Sequence, residues 1–90
     1  SPAPLQVHEQ IVMHALHSGD PMDSPVARMR LAMAYFKRGR TGEALSEGFA
    51  ALSELENQKG EKAESLRTNL VQLIHCVLAE SETGSGEFNS

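Results

Sequence analysis

The sequence predicts an all-α fold of four antiparallel helices packed as helical hairpins, and three observations lead to this prediction. Apolar residues recur at spacings of three and four along most of the chain, which is the period of an amphipathic helix. Proline and glycine lie at the ends and between these periodic segments. The apolar residues are mostly Ala, Leu, Val and Met, which favour helix-on-helix packing, and no segment alternates as a strand would. This length suits one domain, which we expect to span residues 1–82.

Two helices are predicted in the first half of the chain. The first spans residues 5–18 and is ended by Gly19, Asp20 and Pro21. The second spans residues 25–38 and is expected to end at Gly39. Ser24 is its expected N-cap, because a serine hydroxyl can accept a free backbone N–H at that position.

Two more helices are predicted in the second half. The third begins near Thr41 and ends at Glu56 or Asn57, before Gly60. The fourth spans residues 61–80 and has two neighbouring apolar stripes. One stripe consists of Leu66, Leu70, Leu73 and Val77, and the other of Val71, Ile74 and Leu78. Residues 83–90 are predicted to be a flexible linker or a cloning remnant, since they are rich in Gly and Ser and contain a Glu-Phe pair that common restriction sites encode.

Residues 24–52 carry a pattern that resembles one tetratricopeptide repeat (TPR). The resemblance rests on the run from Ser24 to Tyr35, on Gly39, and on the segments Glu43-Ala44-Leu45 and Ala51-Leu52. It implies a TPR-like domain in which the second and third helices form one full repeat and the outer helices flank it. The chain departs from the family pattern at three positions. Arg28 replaces a large apolar residue, Gly48 an aromatic residue and Glu56 a proline.

The resemblance also implies a partner-binding groove along the second helix. The groove positions correspond to Val26, Met29, Met33, Phe36 and Lys37. Four of them are apolar, so we expect a protein-interaction module, an adaptor, scaffold or chaperone, that binds an apolar or amphipathic helix of a partner protein or peptide. Methionines stand where other family members use Lys and Asn to hold an acidic C-terminal peptide, which argues against that ligand. In the alternative arrangement, the first or the fourth helix covers this stripe.

The fourth helix contains a second candidate interface, formed by Leu66, Leu70, Leu73 and Val77. A terminal repeat should have a polar outer face, and this helix has two apolar stripes. Three arrangements would cover them: the helix folds back over the groove, a partner binds there, or the chain forms a homodimer. The alternative function is therefore a self-associating structural domain or the terminal fragment of a longer helical repeat array.

Composition and motifs argue against other classes of function. A net charge of −4 disfavours nucleic acid as a partner, and no apolar run reaches the roughly 18 residues of a membrane span. The only cysteine, Cys76, is expected to be a buried, inert thiol in a reducing, cytoplasmic setting. The histidines lack the spacing of metal ligands, and there is no Gly-rich phosphate loop. We therefore predict no catalytic residue, no metal, no cofactor and no enzymatic activity.

Overall fold

The computed structural model describes the backbone of residues 4–89 and the side chains of residues 4–82. This part of the chain contains four helices and no strand, as predicted: α1 (Leu5–Leu16), α2 (Asp23–Lys37), α3 (Thr41–Glu54) and α4 (Glu61–Asn89). Helix α4 extends past its expected end at residue 80. The side chains of residues 83–90 lie outside the described part, so the linker or cloning remnant there stays a prediction.

The start of α2 differs from the predicted one. The helix begins at Asp23, so Ser24 is its second residue and not its N-cap, and the residue before the helix, Met22, makes no side-chain capping bond. The preceding loop is instead closed by Asp20, whose Oδ1 accepts the Met22 N–H at 2.9 Å and whose carbonyl oxygen accepts the Asp23 N–H at 3.1 Å. Because Asp20 binds these N–H groups, the Ser24 hydroxyl is free to contact another helix.

The α2–α3 turn is made by Gly39, as predicted. Its φ of 76° lies in the left-handed region that glycine adopts most readily. The N–H groups of Gly39 and Arg40 donate to the carbonyl oxygens of Phe36 and Tyr35, at 3.0 and 2.9 Å. This pair of bonds satisfies two carbonyl groups at the end of α2 that have no partner within the helix.

The α3–α4 turn is stabilised by a side chain of the following helix. Gly60 adopts a φ of 106° immediately before α4 begins. Arg67, two turns into α4, donates from Nη2 to the carbonyl oxygens of Leu55 and Gln58, at 2.8 and 2.9 Å. Helix α3 therefore ends at Glu54, two or three residues earlier than predicted, and Arg67 binds carbonyl groups just beyond its end.

The helices pack in chain order, with α2 in contact with all three others. The start of α2 lies beside the end of α3, where Ser24 bonds to Glu54. The end of α2 lies beside α1, where the Tyr35 hydroxyl donates to Glu9 Oε2 at 3.1 Å. Consecutive helices thus form hairpins, and α2 is the element around which the domain is built.

Two clusters of buried side chains form the core. One joins α1, α2, α3 and α4, and comprises Val12, Ala27, Leu31, Tyr35, Ala44 and Val77. The other lies between α3 and α4 around the turn that connects them, and comprises Ala51, Leu55, Ala63, Leu66 and Leu70. Ala32, Ala44 and Ala51 are among the least exposed residues, since small side chains allow helix backbones to approach closely.

Candidate partner-binding groove

A groove with a volume of about 740 Å³ lies between α1, α2 and α4. Helix α2, which contacts both α1 and α4, forms its floor, α1 and α4 form its walls, and the α1–α2 loop contributes to its lining. Its lining residues are Ile11, His14, Ala15, Ser18, Asp20, Met22, Asp23, Val26, Ala27, Arg30, Lys62, Ser65, Leu66 and Asn69. Its size lies within the usual range for binding sites in proteins, and the combination of apolar side chains with a few polar ones is typical of such sites.

The predicted groove residues are divided between the groove and the core. Val26 lines the groove, and Met33 and Lys37 are exposed on the same face of α2. Met29 and Phe36 were predicted to line the groove, but each packs against a buried cluster and is half-buried. These two residues are therefore corrected from groove to core. The cluster against which Met29 packs includes Leu66 and Leu70 of α4, so the fourth helix covers part of the stripe.

The open face of α2 is a row at spacings of four, three and four, made by Val26, Arg30, Met33 and Lys37. Sequence reasoning missed Arg30, which lines the groove. On that turn of α2, the repeat pattern predicted Met29, the apolar residue immediately before Arg30, as the groove residue. A helical-wheel comparison that included charged residues would have placed Arg30 beside Val26 and Met33.

The predicted second interface on α4 is a core surface. Leu70 and Val77 are 0% and 1% exposed, Leu66 is also buried, and Leu73 packs against the same core. This prediction is corrected, because α4 folds against α3 and α2 within a single chain. The neighbouring stripe is itself divided. Ile74 is buried against Gly48, whereas Val71 and Leu78 remain exposed.

A polar ladder between α2 and α3 explains the departure from the repeat pattern at Arg28. Arg28 donates from Nη1 to Glu47 at 2.8 Å and from Nε to Glu54 at 3.1 Å. The Ser24 hydroxyl, one turn earlier, lies 2.8 Å from both carboxylate oxygens of Glu54. Burial opposes the charge on Arg28, but the bonds to the two glutamates outweigh it and raise the pKa of the guanidinium. A residue that is usually apolar here is replaced by one that forms ion pairs with the adjacent helix.

A second polar cluster joins α1 to the end of α2. Tyr35 donates to Glu9, and the Arg40 guanidinium lies 4.9 Å from the centre of the Tyr35 ring. Arg40 also pairs with Glu43. Burial, followed by the bond to Glu9, raises the pKa of the Tyr35 hydroxyl. This cluster stabilises the hairpin and lies away from the groove lining.

The histidines and the cysteine are not gathered into a reactive site. Within the described residues, no three His, Cys, Asp or Glu side chains converge as metal ligands. His14 lines the groove, and His17 Nδ1 lies 3.0 Å from the Met13 carbonyl oxygen. Cys76 was expected to be buried, but it is exposed, because the buried face of α4 passes through its neighbour Val77. The absence of enzymatic activity and of a cofactor stays a prediction.

No known protein family, no curated protein and no solved structure matches the chain. The TPR-like resemblance therefore rests on the residues that carry it. No helix in the described part of the chain is both long and apolar enough to cross a membrane.

Proposed function

We propose that this chain is a TPR-like protein-interaction module, an adaptor or chaperone, whose groove binds an apolar or amphipathic helix of a partner protein. The observation that carries the proposal is the groove between α1, α2 and α4, with α2 as its floor. No enzymatic activity and no cofactor are part of the proposal. A cytoplasmic location is part of it, and the single cysteine supports that location.

The spacing of the side chains along α2 favours a helix as the occupant of the groove. An α-helix with its side chains is about 10 Å across and presents apolar anchors one turn apart. The open row on α2 repeats with the same period, because Val26, Arg30, Met33 and Lys37 follow one another turn by turn. Ridges of side chains on one helix pack into the grooves of another at such spacings.

The apolar residues bordering the groove favour a helix with an apolar stripe. Ile11 on α1 lines the groove and is exposed, and Met33 is exposed on α2 just beyond the lining residue Arg30. Val26 is half-buried and lines the floor. Leu66 is buried and lines the α4 wall. A partner helix would remove the remaining apolar surface from water, which stabilises a complex by about 25 cal/mol per Å² before the costs of association.

A pair of methionines tests this proposal. Met33 is 41% exposed on the open row of α2, one turn beyond the lining residue Arg30, and Met13 is 61% exposed on α1 away from that row. We expect Met33→Ala to weaken binding of a fluorescent amphipathic helical peptide by roughly tenfold, which corresponds to about 1.4 kcal/mol. Met13→Ala, the matched control, should leave the affinity unchanged. Equal affinities for wild type and Met33→Ala would count against the groove.

A self-associating domain, or a terminal fragment of a longer helical array, is the second candidate function. Exposed apolar side chains on surfaces outside the groove favour it: Met13, Leu16, Phe49, Val71 and Leu78. In a repeat array, such faces would be covered by neighbouring repeats. Sedimentation at micromolar concentration separates the candidates, since a homodimer mediated by these faces would persist in the Met33→Ala variant and dissociate in Phe49→Ala.

A further inference from the structure

Arg38 donates to the Ala34 carbonyl oxygen at 3.0 Å. The other seven Lys and Arg residues divide into two groups according to whether they form ion pairs. Arg28, Arg40 and Arg67 each pair with a glutamate. Four others form no ion pair with residues 4–82, namely Arg30, Lys37, Lys59 and Lys62. The first group serves helix contacts and turns, whereas the charges of the second group have no partner in the described part of the chain.

Two of these four cations line the groove. Arg30 lies on its floor and Lys62 on its α4 wall. Lys37 lies on the same face of α2 as Arg30, two turns further along. In a chain with a net charge of −4, two of these four cations therefore lie in the groove, and a third lies on the row of α2 that continues from it. Concave surfaces focus the field of such charges and attract ligands of opposite sign.

The two acidic residues that line the groove, Asp20 and Asp23, accept hydrogen bonds within the α1–α2 connection. Asp20 Oδ1 accepts the Met22 N–H at 2.9 Å, and Asp23 Oδ2 accepts the Ser18 hydroxyl at 2.6 Å. Both belong to the α1–α2 loop or to the first residue of α2. Beyond them, the open row of α2 from Val26 to Lys37 contains two cations, Arg30 and Lys37, and no acid.

From this distribution we infer that the occupant of the groove is an acidic amphipathic helix, with Glu or Asp side chains flanking its apolar stripe. The inference rests on the proposed function and specifies the chemistry of its partner. The apolar stripe packs against Ile11, Val26 and Met33, while flanking carboxylates bond to Arg30 and Lys62. A guanidinium binds a carboxylate through two parallel hydrogen bonds, so Arg30 sets the register of the helix. These carboxylates are side chains along a helix and not the terminal carboxylate of a peptide.

Other occupants fit these charges less well. Single-stranded nucleic acid requires aromatic stacking surfaces in addition to cations, and none of the residues lining the groove is Phe, Tyr or Trp. The chain as a whole is acidic, which opposes long-range attraction to a phosphate backbone. A second copy of the chain remains an outcome of the test and would appear as concentration-dependent sedimentation without added peptide.

Two peptides of identical apolar stripe test the inference. Each is a helical peptide of about 18 residues, one with Glu and the other with Lys at the positions that flank the stripe. Fluorescence anisotropy is measured at about 50 mM and about 300 mM salt. We expect the Glu peptide to bind about tenfold more tightly than the Lys peptide at low salt, and the difference to fall to about twofold at high salt.

Three substitutions assign this preference to the groove. Arg30→Gln and Lys62→Gln should each reduce the preference for the Glu peptide, and the double variant should abolish it. Lys59→Gln is the matched control, because it removes the same charge three residues from Lys62 and outside the groove lining. Circular dichroism melting of each variant shows that the fold is intact.

The outcomes separate the inference from the proposed function. The inference of an acidic partner helix is overturned if both peptides bind with equal affinity. It is also overturned if the preference for the Glu peptide persists in the double variant. In that case the proposed function stands if Met33→Ala still weakens both peptides. The inference and the proposed function are both overturned if neither peptide binds. They are also both overturned if the protein sediments as a homodimer that Arg30→Gln dissociates.

Discussion

Gly48 on α3 lies against Ile74 on α4, so close that a Cβ atom at position 48 would stand 3.1 Å from Ile74 Cγ1. The tetratricopeptide pattern has an aromatic residue at this position. Here the absent side chain leaves room for a buried isoleucine of the following helix. The departure at Gly48 is therefore a packing contact between α3 and α4.

Two glycine substitutions on α3 should have different effects on stability. Alanine is favoured over glycine within a helix by up to about 1 kcal/mol. At Gly42, where no atom lies within 4 Å of the added Cβ, Gly42→Ala should increase the free energy of unfolding by up to this amount. The free energy of unfolding of Gly48→Ala should be lower than that of Gly42→Ala by about 1 kcal/mol or more, because the buried Ile74 must move. Urea denaturation measures both.

A double-mutant cycle identifies the contact responsible. Ile74→Ala removes Cγ1, so Gly48→Ala should be less destabilising in that background than in the wild type. If the changes in the free energy of unfolding caused by the two substitutions are additive, Ile74 is not the reason that position 48 requires glycine.

Glu54 is expected to contribute more to stability than its neighbour Glu56. Glu54→Ala removes the acceptor for the buried Ser24 hydroxyl and one of the two glutamate partners of Arg28. Since buried polar groups without partners are destabilising, we expect a loss of about 1–3 kcal/mol. Glu56 is exposed and is not part of the ladder, so Glu56→Ala should change the free energy of unfolding by less than about 0.5 kcal/mol. Similar losses for the two variants would contradict a structural role for the ladder.

The helix count and both glycine turns followed from local pattern alone. Gly39 and Gly60 adopt positive φ because the chain must reverse there, and this local requirement is visible in the order of residues. The fold class depends only on the period of the apolar residues, which survives any particular packing of the helices.

The candidate site was less predictable, because it depends on where the other helices lie. Helix α2 has two apolar faces, and periodicity does not say which one is covered. The position of α4 determines which face is covered, because α4 packs near Met29 and leaves Arg30 exposed in the groove. The same limit explains Cys76, whose neighbour Val77 is buried while the thiol is exposed. The direction of the Ser24 hydroxyl likewise depends on a glutamate thirty residues away.

Tyr35 should titrate above its ordinary pKa of 10.0 in the folded protein. Burial is the larger cause and the bond to Glu9 the next. As the pH rises past 10, the unfolded chain loses the phenol proton first while the folded chain keeps it. The folded state then binds more protons, so the free energy of unfolding should fall with increasing pH.

The measurement is direct because the chain contains one tyrosine. Phenolate absorbance followed against pH should give a higher midpoint in buffer than in concentrated urea. Glu9→Gln should lower the folded-state pKa part of the way, since the burial remains. Identical midpoints in buffer and urea would contradict the buried position of the hydroxyl.

Leu70 and Leu78 lie on the same helix, and the same substitution should destabilise the protein much more at Leu70 than at Leu78. Leu70 is 0% exposed within the cluster between α3 and α4, and Leu78 is 41% exposed. Leu70→Ala should reduce the free energy of unfolding by about 2–5 kcal/mol, because it leaves a cavity in the core. Leu78→Ala should cost less than about 1 kcal/mol. If Leu70 instead belonged to an interface between copies, its substitution would abolish self-association and leave the stability of the monomer unchanged. Urea denaturation at several protein concentrations distinguishes the two, since a core residue shifts the transition equally at every concentration.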